Sequence, residues 1–276
     1  PQIFTGEMIY VEEGTFTMGG ELTGPYAGSA PEVTVTISEF SMSATEITNQ
    51  QYIDFLNAAN AIGWIEVINE TVNSPCGSEI VDVIYGTGNA PNAGEMILEL
   101  AETGGCTSEG EPEHIDNKSW IDYDWNNDIF VLLDTEKANW PANWLRWYGA
   151  YAFTEFYNLD LPTEAQWEYA ARAGEQLEYP TPTGLLDPTL ANYNGDVPGV
   201  YNPDGHSVAV GSYPPNPWGF YDMGGNVWEW CLDYFAADFY SDGVTDPLNL
   251  DPGDEELKVR RGGSWNYHAA TLLTYA

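Results

Sequence analysis

Asp222 and Glu229 bracket Gly224 and Gly225 in the stretch DMGGNVWEW, residues 222–230. Carboxylates on either side of a glycine bend suit a hard cation. Calcium takes six to eight oxygens and mixes carboxylates with backbone carbonyls. Glycines let the backbone turn so that carbonyls point inward. Trp228 and Trp230 are expected to alternate away from such an ion and into a core. The competing reading is an ordinary glycine turn whose carboxylates face water. Other reactive residues are sparse. Cys76 and Cys106 fall in one Gly-, Asn- and Glu-rich region. A disulfide between them would close a loop of about 30 residues, worth roughly 3–4 kcal/mol; the alternative is two buried thiols. Cys231 follows an aromatic run and reads as a buried structural thiol. His114, His206 and His268 show no i, i+4 spacing, so no helical metal pair is expected. Glu164 and Glu168 stand at i, i+4 and read as a solvated helix face. Neither a Gly-rich phosphate loop nor a G-x-S-x-G elbow occurs.

These residues need elements to hold them. Phe16 and Met18 alternate with Thr15 and Thr17, and Val33, Val35 and Ile37 alternate with threonines, which predicts two strands. Thr48 with Gln51 forms a capping-box pattern, and Tyr52, Phe55, Leu56 and Ala59 follow at helical spacing. Residues 61–140 read as a long irregular insertion with short strands such as Ile129–Leu133. Trp147, Ala150, Phe153 and Tyr157 are spaced for one helix face. The stretch LPTEAQWEYAARAG, residues 161–174, predicts a helix capped by Thr163 and Gln166, with Trp167, Ala170 and Ala171 inward and Gly174 as the stop. Residues 179–216 have no helical period, and so long a loop needs something besides its own ladder to hold it; metal is one candidate.

The charge balance narrows the partners. The chain has 43 Asp+Glu against 7 Lys+Arg, a formal charge of -36. Charged residues total only 18%, below the usual ~25%, so basic residues have been lost. Phosphate binding needs Lys and Arg, which excludes nucleic acid and disfavours an anionic membrane surface. Cations are favoured, calcium first, and a saline exterior would screen the self-repulsion. No run of 18 or more apolar residues exists, so no transmembrane segment is expected. The first residues carry no basic and apolar signal pattern, and a secretion signal is expected to have been removed or never present.

Five blocks in order, GTFTMGG, ATEITNQQYIDFL, LPTEAQWEYAARAG, PWGFYDMGGNVWEW and VRRGGSW, resemble the formylglycine-generating enzyme family, also called sulfatase-modifying factors. The resemblance runs from about Met8 to Trp265. It implies an α+β fold, compact and loop-rich, related to C-type lectins, as a single domain over 1–276 with the irregular insertion at 61–140. It implies two structural calcium sites. The first takes the side chains of Asn192 and Asp204 and the carbonyls of Tyr193 and His206. The second takes the side chains of Asp222 and Glu229 and the carbonyls of Gly225 and Val227. Family enzymes oxidise a substrate cysteine with a copper ion held by two cysteines after the GGS motif. The resemblance places a copper ligand at position 272, which is Leu272, and Cu(I) needs soft sulfur. No copper is therefore expected. A second branch uses iron held by three histidines, and this chain lacks that pattern.

The expected function is a non-catalytic structural or interaction protein of a bacterium, outside the cytoplasm, calcium-stabilised, with protein partners or self-assembly in a surface or filamentous structure. Two alternatives stand beside it. One is a ligand-binding display module using the segment after GGSW, with Asn266, Tyr267 and His268 on its surface. The other is an oxidoreductase of altered chemistry, working through Cys231 or an unseen metal.

Overall fold

The computed structural model describes residues 3–20, 32–74, 77–100, 119–194 and 205–276. Four strands come first: β1 (Met8–Val11), β2 (Gly14–Met18), β3 (Val33–Ile37) and β4 (Phe40–Ser43). Helix α1 (Asn49–Ala61) follows, then β5 (Ile65–Ser74), β6 (Gly77–Gly86), β7 (Met96–Leu100), β8 (Ile121–Asp124) and β9 (Ile129–Leu132). Helices α2 (Trp147–Tyr157) and α3 (Glu164–Arg172) lead to β10 (Glu229–Tyr234), β11 (Val244–Thr245) and β12 (Lys258–Arg261). Few helices, several small sheets and long loops make this an α+β fold. Among the described residues no helix is long and apolar enough to cross a membrane. The chain separates into two compact units, Pro1–Phe4 with Ile47–Asp160, and Thr5–Glu46 with Leu161–Ala276.

The unit containing Ile47–Asp160 is built on α1, α2 and the antiparallel sheet β5-β6-β7, with a separate β8–β9 hairpin. The Thr48–Gln51 capping box forms as the spacing predicts. Tyr52, Phe55, Leu56 and Ala59 are all buried, packed with Ile84, Ile97, Leu98, Phe130 and Phe153. The segment that read as irregular carries the longest strands: β5 and β6 pair over ten residues each, from Ile65↔Gly86 to Ser74↔Gly77. Asn and Glu between the aliphatics of β5 blur the period-2 signal, and pairing with β6 supplies what the local pattern lacks. Helix α2 is rotated from its expected face. Gly149, Ala152, Phe153 and Thr154 are buried, while Trp147, Ala150 and Tyr157 are half-buried. Gly149 is small enough for the Ile97 carbonyl to approach, and this contact sets the face.

The second unit holds the two-stranded sheets β1–β4 and β10–β12, and a three-stranded sheet in the order β11-β3-β2. Phe16 pairs with Val35 and Met18 with Val33, so the predicted alternation directs one face of β2–β3 inward. That face meets α3, where Trp167, Ala170 and Ala171 are wholly buried. Thr163 and Gln166 form the expected capping box. Ala173 ends the helix one residue before the predicted glycine, taking a left-handed φ of 48°. Burying three apolar side chains of α3 contributes several kcal/mol, at about 25 cal/mol per Å² of apolar area. This fixes α3, β10 and β12 as the frame for the acidic turn.

Candidate metal centre

The acidic turn runs from Asp222 to the first residue of β10, Glu229. Its backbone is unusual: Asp222, Gly225 and Asn226 have φ of 55°, 89° and 56°. Gly225 forms a parallel bridge with Asn192. A Cβ at Gly225 would stand 2.2 Å from the Asn192 carbonyl oxygen, so contact and dihedral both require glycine. The Gly225 amide donates to the Gly262 carbonyl and the Asn226 amide to the Asn192 carbonyl, both at 2.8 Å. The turn is therefore held by the predicted loop on one side and the GGSW segment on the other.

Asn226 is the hub of this arrangement, and it is fully buried. Its Oδ1 accepts from the Val208 amide at 2.9 Å and from Asn192 Nδ2 at 3.2 Å. Its Nδ2 donates to Glu46 Oε1 at 2.8 Å and to the Val208 carbonyl at 3.3 Å. The Val208 amide fixes which end of the Asn226 amide is oxygen. That in turn fixes Asn192 with its Nδ2 toward Asn226 and toward the His206 carbonyl, 3.1 Å away. Asn192 and His206 are thus brought together, as one ligand set would require. Tyr193 follows in the chain and is half-buried. Asp204 lies outside the described residues, as do Cys76, Cys106 and His114. The two predicted sets adjoin each other through the Asn192–Gly225 bridge.

Three carboxylates in this region act on one another. Asp222 is buried and its Oδ2 accepts from the Gly211 amide at 2.6 Å. Burial pushes Asp222 up to about 6, against the pull of that hydrogen bond. Glu229 accepts from the Trp167 indole at 2.7 Å. Burial raises it to about 8, with the Asp222 charge adding to the shift and the indole opposing it. Glu46 is raised well above the carboxylate range, first by burial and then by the charges of Asp222 and Glu229. Its Oε2 is sealed from solvent with no hydrogen-bond partner. Sequence reading missed Glu46, which lies 180 residues from Asn226, and no local signal could have paired them. Buried carboxylates repelling one another are costly unless a proton or a cation neutralises them. The donor chemistry therefore fits a hard cation. Among the described residues no three His, Cys, Asp or Glu side chains form a ready ligand cluster. Any ion here needs backbone carbonyls as well, as the expected set of Asp222, Glu229, Gly225 and Val227 has.

The segment after GGSW has two characters. Asn266, Tyr267 and His268 are exposed. The Tyr267 amide donates to the Ser264 carbonyl at 2.9 Å, and Ser264 Oγ donates to Asn266 Oδ1 at 2.7 Å. The Tyr267 ring meets Trp228 edge-on at 5.2 Å, and Arg260 lies over the other aromatic, 4.6 Å from the Trp228 ring. Trp228 and Trp230 are each half-buried rather than core residues. Leu272 ends a short 3-10 turn, Ala269–Leu272, and is wholly buried. A Cβ on Gly263 would stand 2.8 Å from Leu272 Cδ1, so the leucine is closely packed.

Glu164 and Glu168 overturn the solvated-face expectation. Glu168 is 1% exposed and bridges two arginines, Arg172 at 2.8 Å and Arg261 at 3.1 Å. Arg261 also reaches Glu164 at 3.3 Å and donates to the Thr274 carbonyl. Gly19 closes the knot: its amide donates to Glu168 and its carbonyl accepts from Arg172. The helix face turned to water in isolation is covered here by the end of β2 and by β12. A signal was present in the sequence: three of only seven basic residues are these arginines and Arg260. Cys231, beside this knot on β10, is wholly buried. Burial pushes its thiol well up, and the Glu164, Asp233 and Glu229 charges add to the shift against Arg261. A thiol held protonated is a poor nucleophile.

Residues 1–275 match the Sulfatase-modifying factor enzyme 1-like domain, FGE-sulfatase. A formylglycine-generating enzyme of Thermomonospora curvata is 30% identical across 100% of this chain and 88% of its own length. Among solved structures, PvdO from Pseudomonas aeruginosa superposes with a TM-score of 0.57 at 21% identity, over 98% of this chain and 86% of that one. Treponema denticola variable protein 1 gives a TM-score of 0.57 at 18% identity, over 98% of this chain and 87% of that one.

Proposed function

The chain belongs to the sulfatase-modifying factor family, and from that premise we propose that it is a non-catalytic structural or interaction protein, stabilised by calcium and working outside the cytoplasm of a bacterium. One observation carries the reading. The position where the family resemblance places a copper ligand is Leu272, and that leucine is closed into the core. An aliphatic side chain offers Cu(I) no donor. The residues present do not fit copper, and Cys231 is buried and held protonated. The test uses the whole chain with copper, oxygen and a cysteine peptide of the kind a formylglycine-generating enzyme oxidises. The peptide should stay unmodified by mass spectrometry. Conversion of its cysteine to an aldehyde would end the proposal.

Calcium is the reading of the two adjoining sets. Asp222 and Glu229 would supply side-chain oxygens and Gly225 and Val227 carbonyls; Asn192, Asp204, Tyr193 and His206 would form the other set. What supports this is the group of carboxylates close to the turn, Asp222 buried and Glu46 and Glu229 half-buried, and the unpartnered Glu46 Oε2. A bound ion would neutralise charge that the protein leaves unmatched there. An acidic chain with two such ions suits a medium rich in calcium and salt. Metal analysis after dialysis against calcium should return two ions per chain, and none would sink the calcium reading. Fractionation of the source cells would test the location.

A second reading, a display module, is favoured by one observation. Asn266, Tyr267 and His268 form an exposed patch anchored to Ser264 and Trp228 beneath. Such a patch could change in sequence with little cost to the frame. If Ala substitutions at all three positions leave stability intact but abolish capture of a partner, the display reading gains over the structural one.

A further inference from the structure

Phe235 and Leu257 stand on the surface, 60% and 51% exposed. They are cross-strand neighbours. Strands β10 and β12 pair at Tyr234↔Lys258, and the Phe235 amide donates to the Leu257 carbonyl at 2.8 Å. The pairing therefore runs on past that register, which sets the two side chains opposite each other on one face. Leu250, 62% exposed, follows Asn249, whose side chain and backbone both bond to Tyr234. Single exposed apolar residues are ordinary, but adjoining ones mark an interaction surface.

A loose loop does not account for this exposure, because the chain between Phe235 and Leu257 is tied down. Val244 and Thr245 pair with β3, Asp242 accepts from the Thr34 amide at 2.8 Å, and Asp246 accepts from the Ser38 amide at 2.7 Å. Pro247 and Asn249 are buried along the same stretch. The stretch therefore has an inner side, yet Leu250 stays outside it. Its charge is one-sided: seven of the 23 residues from Phe235 to Leu257 are acidic and none is basic. Asp242 and Asp246 hold β3. Asp238, Asp254, Glu255 and Glu256 are exposed and, among the described residues, form no ion pair.

We infer that the Phe235–Leu257 pair, with Leu250 beside it, is a docking surface for a basic amphipathic segment of another protein. The segment's apolar side chains cover the pair, and its Lys or Arg meet the acids around Asp254. Charge decides against a second copy of this chain as the occupant. The chain's own basic groups are few and engaged: Arg172 and Arg261 in the buried knot, Lys137 over Trp140, Lys258 over Tyr234 and Arg260 over Trp228. A second copy brings acid to acid. The surface needs no metal, so this inference goes beyond the calcium reading and stands apart from it.

The test uses the intact chain and a labelled synthetic helix of leucine and lysine with one apolar face, followed by fluorescence anisotropy at low and physiological salt. A chain this acidic attracts any basic peptide, so the variants carry the test. Phe235→Ser combined with Leu257→Ser should weaken binding by roughly tenfold or more and leave the melting temperature nearly unchanged, since both positions face water. Asp254→Asn, Glu255→Gln and Glu256→Gln together should weaken binding and flatten its salt dependence. Glu12→Gln, Glu13→Gln and Glu39→Gln remove as much charge from exposed sites elsewhere and should weaken it less. The two acid triplets read out even if the serine variant folds poorly. Equal losses from both triplets, or a folded serine variant that binds as tightly as the unaltered chain, would show diffuse attraction and overturn the inference. A concentration-dependent dimer that the serine variant abolishes would overturn it too, giving the surface to a second copy.

Discussion

Glu168 and Glu46 both bury carboxylate oxygens in the same unit, yet they are neutralised in different ways. Glu168 sits between Arg172 and Arg261 and takes a third bond from the Gly19 amide. Glu46 has the Asn226 amide on one oxygen, nothing on the other, and the charges of Asp222 and Glu229 nearby. A chain with only seven basic residues matches one acidic cluster with its own arginines. Under the calcium proposal, the other would be matched by a bound ion. Acidity alone therefore does not mark a candidate metal site; acidity without a matching base is what the calcium proposal rests on. The first cluster should break by mutation and ignore calcium, and the second should answer to calcium.

Removing an arginine from the matched cluster should have the largest effect. Arg261→Met leaves Glu164 without its arginine and Glu168 with Arg172 alone. Breaking a buried ion pair on one side costs about 3–5 kcal/mol. Urea unfolding should show this loss equally with and without calcium. A loss under about 1 kcal/mol would put the knot on a level with surface pairs and remove one side of the comparison.

Chelation should come next. An ion that binds only the folded chain stabilises it by about 2.7 kcal/mol at a hundredfold excess over its dissociation constant. Thermal unfolding of the unaltered chain should therefore fall by several degrees in chelator, at about 2–4 °C per kcal/mol for a domain of this size. Arg261→Met should keep that response, starting from a lower midpoint. Asp222→Ala should lose most of it, having removed a ligand. Equal midpoints in calcium and chelator for the unaltered chain would erase the distinction between the two clusters.

How far the sequence reveals this frame depends on the range of each interaction. Capping boxes are local, so Thr48 with Gln51 and Thr163 with Gln166 could be read directly. Thr163→Ala should cost about 1 kcal/mol, the usual value for an N-cap, with calcium response unchanged, since its capping bonds run to Gln166 and not to the acidic turn. Trp167, Ala170 and Ala171 were legible because a helix repeats its face every few residues. Glu168 was not: its own spacing marks it as solvated, and only the distant Gly19 and Arg261 bury it. The Asp222 turn was legible as composition, glycines between acids. Glu46 and Asn226 were not, because their pairing spans the chain. The β5–β6 strands failed for a third reason, that Asn and Glu interrupt the alternation their pairing restores.

Lys258 offers the smallest and most discriminating test, because it is a base near the matched cluster whose surroundings disfavour its charge. Its Nζ lies 3.4 Å from the centre of the Tyr234 ring and donates to the Leu232 carbonyl at 2.9 Å. Burial lowers it to about 8, against the opposing charge of Asp233. Below pH 8 it is protonated in folded and unfolded chain alike, and the folded state carries the full penalty. Between about 8 and its ordinary value near 10.5 the folded chain releases the proton first. The lysine's contribution to stability therefore rises with pH across that window. Because the side chain is partly exposed, the gain should be small. Lys258→Met abolishes the titration, so the stability of the unaltered chain relative to the variant should rise from pH 8 to pH 10. A constant difference would mean that Lys258 is charged in the fold as in water. Asp233 would then offset the burial of Lys258 in full, and the charge balance beside the knot would rest on that pair as well as on the two arginines.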